Sequence, residues 1–263
     1  MIRMNLQFFG GRGATSSLGG KGGGGTLGGN NGSNNGNVKG SIKECTNFDE
    51  LSATLQDKYG KYSNFVFDDR LRNLKFNEVK DAIEGVDYLL TEFGANDKLT
   101  GFEIGRSGVM SASYGGKVNF TEAYFKHGAR DLSEVMNGST FHPPNQNART
   151  TGVHEAGHIL ESWISRKQSN GNGFQSVQDW NNSTIAKKII NEASKSVKKE
   201  YKARGEKAPS IDALCYKVSG YASKNRSEAF AECMADYVAN GKKANPLSIA
   251  VWNETKKVCY NLK

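Results

Sequence analysis

At 263 residues, of which 37% are apolar, the chain can bury one good hydrophobic core with room for a small second lobe. No apolar run approaches the roughly 18 residues that cross a membrane, and Leu6 to Phe9 is too short for a secretory core, so a soluble, unexported protein with no membrane partner is expected. The net charge of +8 is concentrated in residues 1–40, with four basic and no acidic residues, and 187–207, with eight basic and three acidic; lacking interleaved aromatics or a binding motif, it argues against a nucleic-acid partner.

Residues 10–40 hold 14 of the 31 glycines, mixed with Ser and Asn and without a three-residue period, which reads as a flexible tether. Residues 1–40 are therefore expected to be a disordered tail and 41–263 the folded domain, divided into 41–147 (helix plus small sheet) and 148–263 (a helical lobe). Val79, Ala82, Ile83, Val86, Leu89, Leu90 and Phe93 form a helical stripe between Asn77 and Phe93. Phe102 and Ile104 alternate like a strand. Met110 to Tyr114, Gly115-Gly116 and Lys117 to Phe125 predict a hairpin on a two-glycine turn.

His127 and His142 stand outside any ligand spacing, and His142, ahead of Pro143-Pro144, reads as a loop residue. Val153, Leu160, Trp163 and Ile164 place an apolar stripe on a helix over 148–166. Residues 181–204 read as a basic surface helix. Residues 225–240 form another helix, with Asn225 as N-cap, Glu228 three residues on and Gly241 as a stop. Residues 246–262 close the core as a terminal helix. Cys45, Cys215, Cys233 and Cys259 show no CxxC spacing, which excludes a zinc ribbon or disulfide scaffold and leaves buried free thiols.

The chemistry concentrates in His154-Glu155-Ala156-Gly157-His158, an HExxH sequence on the 148–166 helix. Histidines four apart share a helical face and can hold one Zn²⁺, with the intervening glutamate beside the open coordination position. Gly157 costs helix stability, so close packing beside the metal is expected of it. A metzincin would continue with Gly and His where this chain has Glu161 and Ile164, so that class is excluded. A glutamate from a second helix is the other source of a third ligand. Glu228, Glu232 and Asp236 line one face of the 225–240 helix, and Phe230, Met234, Tyr237 and Val238 the other.

The HExxH helix together with Tyr221-Ala-Ser-Lys-Asn-Arg-Ser-Glu228-Ala-Phe-Ala-Glu232 resembles the anthrax lethal factor-like zinc peptidases, which include the secreted Pro-Pro endopeptidases. The likeness spans about residues 100 to 240 and is specific in these two blocks. It implies His154, His158 and Glu228 as zinc ligands, Glu155 as general base, Tyr221 as stabiliser of the tetrahedral intermediate, and Glu232 as a supporting partner. It also implies an α+β gluzincin-like fold, with a small mixed sheet packed on the HExxH helix and a mostly helical C-terminal lobe. The edge strand of such a sheet pairs with extended peptides, and residues 117–125, with Val118 and Phe120, are the candidate strand. The expected activity is zinc-dependent hydrolysis of a protein or peptide.

Met4-Asn-Leu-Gln-Phe-Phe-Gly-Gly-Arg-Gly13 resembles the opening of head and minor structural proteins of tailed phages and prophages. That likeness implies phage particle proteins as partners and a location in the virion or the bacterial cytoplasm. It leaves open a phage structural protein with a non-catalytic zinc site, and a prophage effector peptidase.

Overall fold

The computed structural model describes residues 40–106 and 108–262. The apolar opening and nearly all of the Gly-rich tract expected as a tail lie outside them. In chain order the described residues form α1 (Phe48–Tyr59), β1 (Val66–Phe67), α2 (Phe76–Phe93), β2 (Gly101–Ile104), β3 (Met110–Ala112), β4 (Lys117–Phe120), α3 (Glu122–Phe125), α4 (Leu132–Asn137), α5 (Ala148–Gln168), α6 (Gly173–Asn181), α7 (Thr184–Ala203), α8 (Ile211–Val218), α9 (Arg226–Asn240) and α10 (Pro246–Tyr260). The fold is mixed α+β and mostly helical, with a small four-stranded sheet. No helix among the described residues is long and apolar enough to cross a membrane.

Five of the helices begin at an asparagine whose side chain accepts a backbone N–H that the first turn leaves unpaired. Asn47 accepts from Glu50, Asn147 from Thr150, Asn172 from Gln175, Asn225 from Glu228 and Asn245 from Leu247. The expected helices at 77–93, 148–166, 225–240 and 246–262 are present, within two residues at either end. The basic helix starts three residues later than expected, at Thr184, after a break at Ser183, whose φ is 55°. It buries Ile185, Ile189, Ile190 and Val197 and turns its lysines outward. Helices α1, α4, α6 and α8 went unread in the sequence, being short or weakly periodic.

The sheet order is β1-β2-β4-β3, with β1, β2 and β4 parallel and β3 antiparallel to β4. The expectation for 117–125 is corrected here: β4 is an interior strand, paired on both sides, and the edges are β1 and β3. Val118 and Phe120 are fully buried, Phe120 against Phe102 and Phe125, so neither can line a substrate groove. The strand also ends at Phe120. Thr121 donates its hydroxyl to the Gly108 and Val109 carbonyls, and Glu122–Phe125 coil into α3. The hairpin turn is wider than two glycines: Ser113 N bonds Lys117 O at 2.9 Å, leaving Tyr114, Gly115 and Gly116 as the connection.

One hydrophobic cluster runs from Ile42 to Cys259, and α5 passes through its middle. On one side α2 crosses α5 at backbone contact. A Cβ on Gly85 would lie 1.9 Å from the Arg149 carbonyl oxygen, and one on Gly152 would lie 1.9 Å from that of Ala82. On another side a Cβ on Gly157 would lie 3.0 Å from Ala231 Cα in α9, which is the close packing expected of that glycine. As a result every residue from Thr150 to Ser165 is buried, not only the apolar stripe. The polar members of that run are costly inside a protein unless each has a partner.

Candidate metal centre

His154 and His158 lie one turn apart on α5, and Glu228 occupies the first turn of α9. The Asn225 side chain caps the Glu228 backbone N–H at 2.9 Å, and the Glu228 carboxylate is turned to the histidines. His154 Nε2 and His158 Nε2 stand 3.2 Å and 3.3 Å from the same oxygen, Glu228 Oε2. Donors held at 2.0–2.2 Å around a tetrahedral ion sit roughly 3.3–3.6 Å apart. The observed separations therefore fit a shared ion, and Glu228 Oε2 has no well-formed hydrogen bond among the described residues. This buried His154, His158 and Glu228 group can hold a metal ion.

Each histidine is held from behind through its other nitrogen. His154 Nδ1 stands 2.9 Å from Glu232 Oε1, and the second oxygen of Glu232 accepts from the Ser219 hydroxyl at 2.7 Å. His142, a loop residue as expected, is buried with Nδ1 3.6 Å from Glu232 Oε1. His158 Nδ1 lies 3.0 Å from Ser227 Oγ, and Ser227 donates to Glu161 Oε2 at 2.6 Å. Asp236 takes no part. It accepts from Asn240 and from the Asn245 backbone, tying the end of α9 to the start of α10.

The electrostatics of the cage are those of a cation site. Burial disfavours the charged form of His154, but hydrogen bonds to Glu228 and Glu232 and the charges of Glu232 and Glu155 override it and raise its pKa to about 10. Burial likewise opposes ionisation of Glu228 and Glu232, and the histidines reverse it, holding Glu228 well below the usual carboxylate range and Glu232 at about 2. A metal ion competes with the proton for the same nitrogens.

The Glu155 carboxylate feels the charges of His154, His158 and Glu228. Both its oxygens are buried with no well-formed hydrogen bond among the described residues, and the Ala112 backbone in β3 gives its charged form only weak support. Burial raises its pKa to about 7. Tyr221, fully buried in the turn between α8 and α9, has its ring 5.8 Å from that of His154. Burial and the neighbouring Glu228, Glu155 and Glu232 raise its pKa further, so the phenol keeps its proton. Its backbone N–H bonds Phe141 O, and Lys224 Nζ lies 4.5 Å over its ring. A cavity of about 660 Å³, lined by Pro143, Pro144, Tyr216 and Lys217 among others, meets the centre only through His142 and Ser219.

The residues named from the sequence thus assemble: His154, Glu155, His158, Tyr221, Glu228 and Glu232 share one buried locus, while Val118 and Phe120 lie in the sheet interior. Glu161, Ser219 and Ser227 were not foreseen. The helical spacing carried a signal for Glu161, which lies three residues beyond His158 on the same face. Serine partners carry no such periodic mark. No protein family, curated protein or solved structure matches the chain. The chemistry of this centre therefore carries the functional reading.

Proposed function

We propose that the protein is a zinc-dependent metalloendopeptidase, with His154, His158 and Glu228 as ligands, Glu155 as general base and Tyr221 as oxyanion donor. The observation that carries it is the convergence of two Nε2 atoms on Glu228 Oε2, with the unpaired Glu155 carboxylate one residue from the first histidine. Two nitrogens and one carboxylate oxygen in a compact set would suit Zn²⁺. When bound, zinc supplies Lewis acidity that polarises a carbonyl and acidifies water.

The chain's own residues supply the rest. Glu155, its pKa raised to about 7 by burial, is poised to take a proton from the water that attacks the peptide carbon and to return it to the amine released when the C–N bond breaks. Tyr221, kept protonated, donates a hydrogen bond to the oxygen on which charge develops. Glu232 fixes the ring of His154 through Nδ1. Of the two edge strands, β1 and β3, it is β3 whose Ala112 backbone neighbours Glu155, so an extended peptide added to that edge runs its carbonyls past the base. The step from Tyr221 to Glu228 and the following Phe-Ala-Glu232 favour the lethal factor-like branch of zinc peptidases.

The test is incubation of the purified protein with a diverse peptide library, with and without a chelator, and mass spectrometry of the products. Chelator-sensitive cleavage is expected. Metal binding with no cleavage of any peptide would replace this reading with a structural metal site.

A further inference from the structure

Two features of α5 and α9 are not used by the mechanism above: a fully buried carboxylate, Glu161, and a buried hydroxyl, Ser227. Ser227 Oγ stands between Glu161 Oε2, 2.6 Å away, and His158 Nδ1, 3.0 Å away. Glu161 Oε1 faces the backbone N–H of Ala186 at 3.4 Å, in the first turn of α7. The residue before that turn, Ser183, makes no side-chain cap, so Glu161 serves as an acceptor for this helix start from outside it.

The order of donors follows from the inventory of each group. A carboxylate only accepts, so the single Ser227 proton is committed to Glu161. Ser227 Oγ then has only lone pairs to offer His158, and Nδ1 must be the nitrogen that carries the imidazole proton. Nε2 is left with its lone pair toward Glu228, 3.3 Å away.

We infer that Glu161 and Ser227 form a positioning relay that sets the tautomer and ring orientation of His158, as Glu232 does directly for His154. The relay rests on the reading of His154, His158 and Glu228 as a metal centre. It adds two positioning residues to that centre and ties its second histidine to the start of α7. The two histidines are then held unequally, one by a carboxylate directly and the other by a carboxylate acting through a hydroxyl.

The experiment is zinc affinity by competition with a chromophoric chelator, measured for the wild type, Ser227→Ala, Ser227→Thr, Glu161→Gln and the Ser227→Ala/Glu161→Gln double variant. Loss of a hydrogen-bond partner behind a metal-ligating histidine costs roughly 10- to 100-fold in affinity. That loss is expected for Ser227→Ala and for Glu161→Gln, and Ser227→Thr, which keeps the hydroxyl, should stay within about threefold. The double variant should bind no more weakly than the weaker single one, because removing Ser227 already disconnects Glu161.

Unchanged affinity in both single variants, with a wild type that binds zinc, overturns the relay and leaves the metal centre standing. Additive losses overturn it in favour of two independent packing roles. A wild type that binds no zinc overturns the metal centre, and the relay with it. Should Ser227→Ala fail to fold, the near-isosteric Glu161→Gln carries the test alone.

Discussion

His154 Nδ1 stands 2.9 Å from Glu232 Oε1, while the Nε2 of the same ring faces Glu228 Oε2 at 3.2 Å. Two glutamates four residues apart on α9 therefore grip one imidazole from both ends, and their roles separate by which nitrogen they meet. Glu228 stands where an ion would share it with His158. Glu232 stands behind. The protein is expected to purify with close to one zinc per chain. Elemental analysis of His154→Ala and Glu228→Ala should show the metal largely lost, and Glu232→Ala should retain it with affinity reduced roughly 10- to 100-fold. Equal loss in Glu228→Ala and Glu232→Ala would abolish the distinction.

Glu155→Gln should keep both fold and metal, because the group it replaces is not one of the three converging donors. Hydrolysis should fall by roughly 10² to 10⁴, the usual contribution of a general base. The check is kcat/KM on a peptide cleaved by the wild type, beside zinc content. Undiminished turnover would remove Glu155 from the mechanism.

Tyr221 distinguishes packing from chemistry by a single oxygen. Its ring packs against Phe141, His142 and His154 at 5.3 Å, 5.5 Å and 5.8 Å, and Tyr221→Phe retains that ring. The variant should hold its zinc while kcat drops by roughly 10² to 10³ with little change in KM, as for an interaction made mainly in the transition state. An unaltered kcat assigns Tyr221 to the core.

The crossing of α2 and α5 leaves no room for a methyl group. In Gly152→Ala the new Cβ would meet the Ala82 carbonyl oxygen at 1.9 Å, and a backbone oxygen inside a helix cannot swing aside. The two helices must separate, at a cost of about 1–3 kcal/mol by the scale of overpacked cores. Urea titration measures it. A loss under about 0.5 kcal/mol, the range of ordinary surface substitutions, would show that the crossing relaxes freely.

Lys98 gives a pH dependence away from the metal. It is 5% exposed, its Nζ lies 4.2 Å from the Tyr114 ring centroid, and burial lowers its pKa to about 8. The unfolded chain keeps this proton up to about 10.4, so between these values it binds more protons than the folded chain. Stability from this group accordingly rises with pH across that window, and the penalty is fully present below about 8. Lys98→Met should be more stable than the wild type at pH 7 by roughly 1–3 kcal/mol, with a gap that narrows toward pH 10. A gap independent of pH would show that Lys98 is not carrying a buried charge.

Much of this protein was legible from its sequence because much of it is local. Helical periodicity placed α2 and α5 to within two residues, and Asn225 and Gly241 marked the ends of α9, since caps and stops are decided by a few neighbouring residues. The HExxH spacing put two imidazoles on one face for the same reason. What the sequence left open was set by the packing of distant segments. Strand pairing put β4 inside the sheet and β3 at one edge, because an alternating pattern records which face is buried and not which strands lie alongside. The row Glu228, Glu232 and Asp236 has one spacing but three fates: facing both histidines, standing behind His154, and joining α9 to α10. Only the seating of α9 against α5, with Ala231 against Gly157, decides which carboxylate meets which nitrogen, and that depends on two helices separated by 57 residues of chain. Ser227 and Glu161 belong wholly to that second category, since a hydroxyl acquires a role beside a metal ligand only when the fold places one within hydrogen-bonding reach of the other.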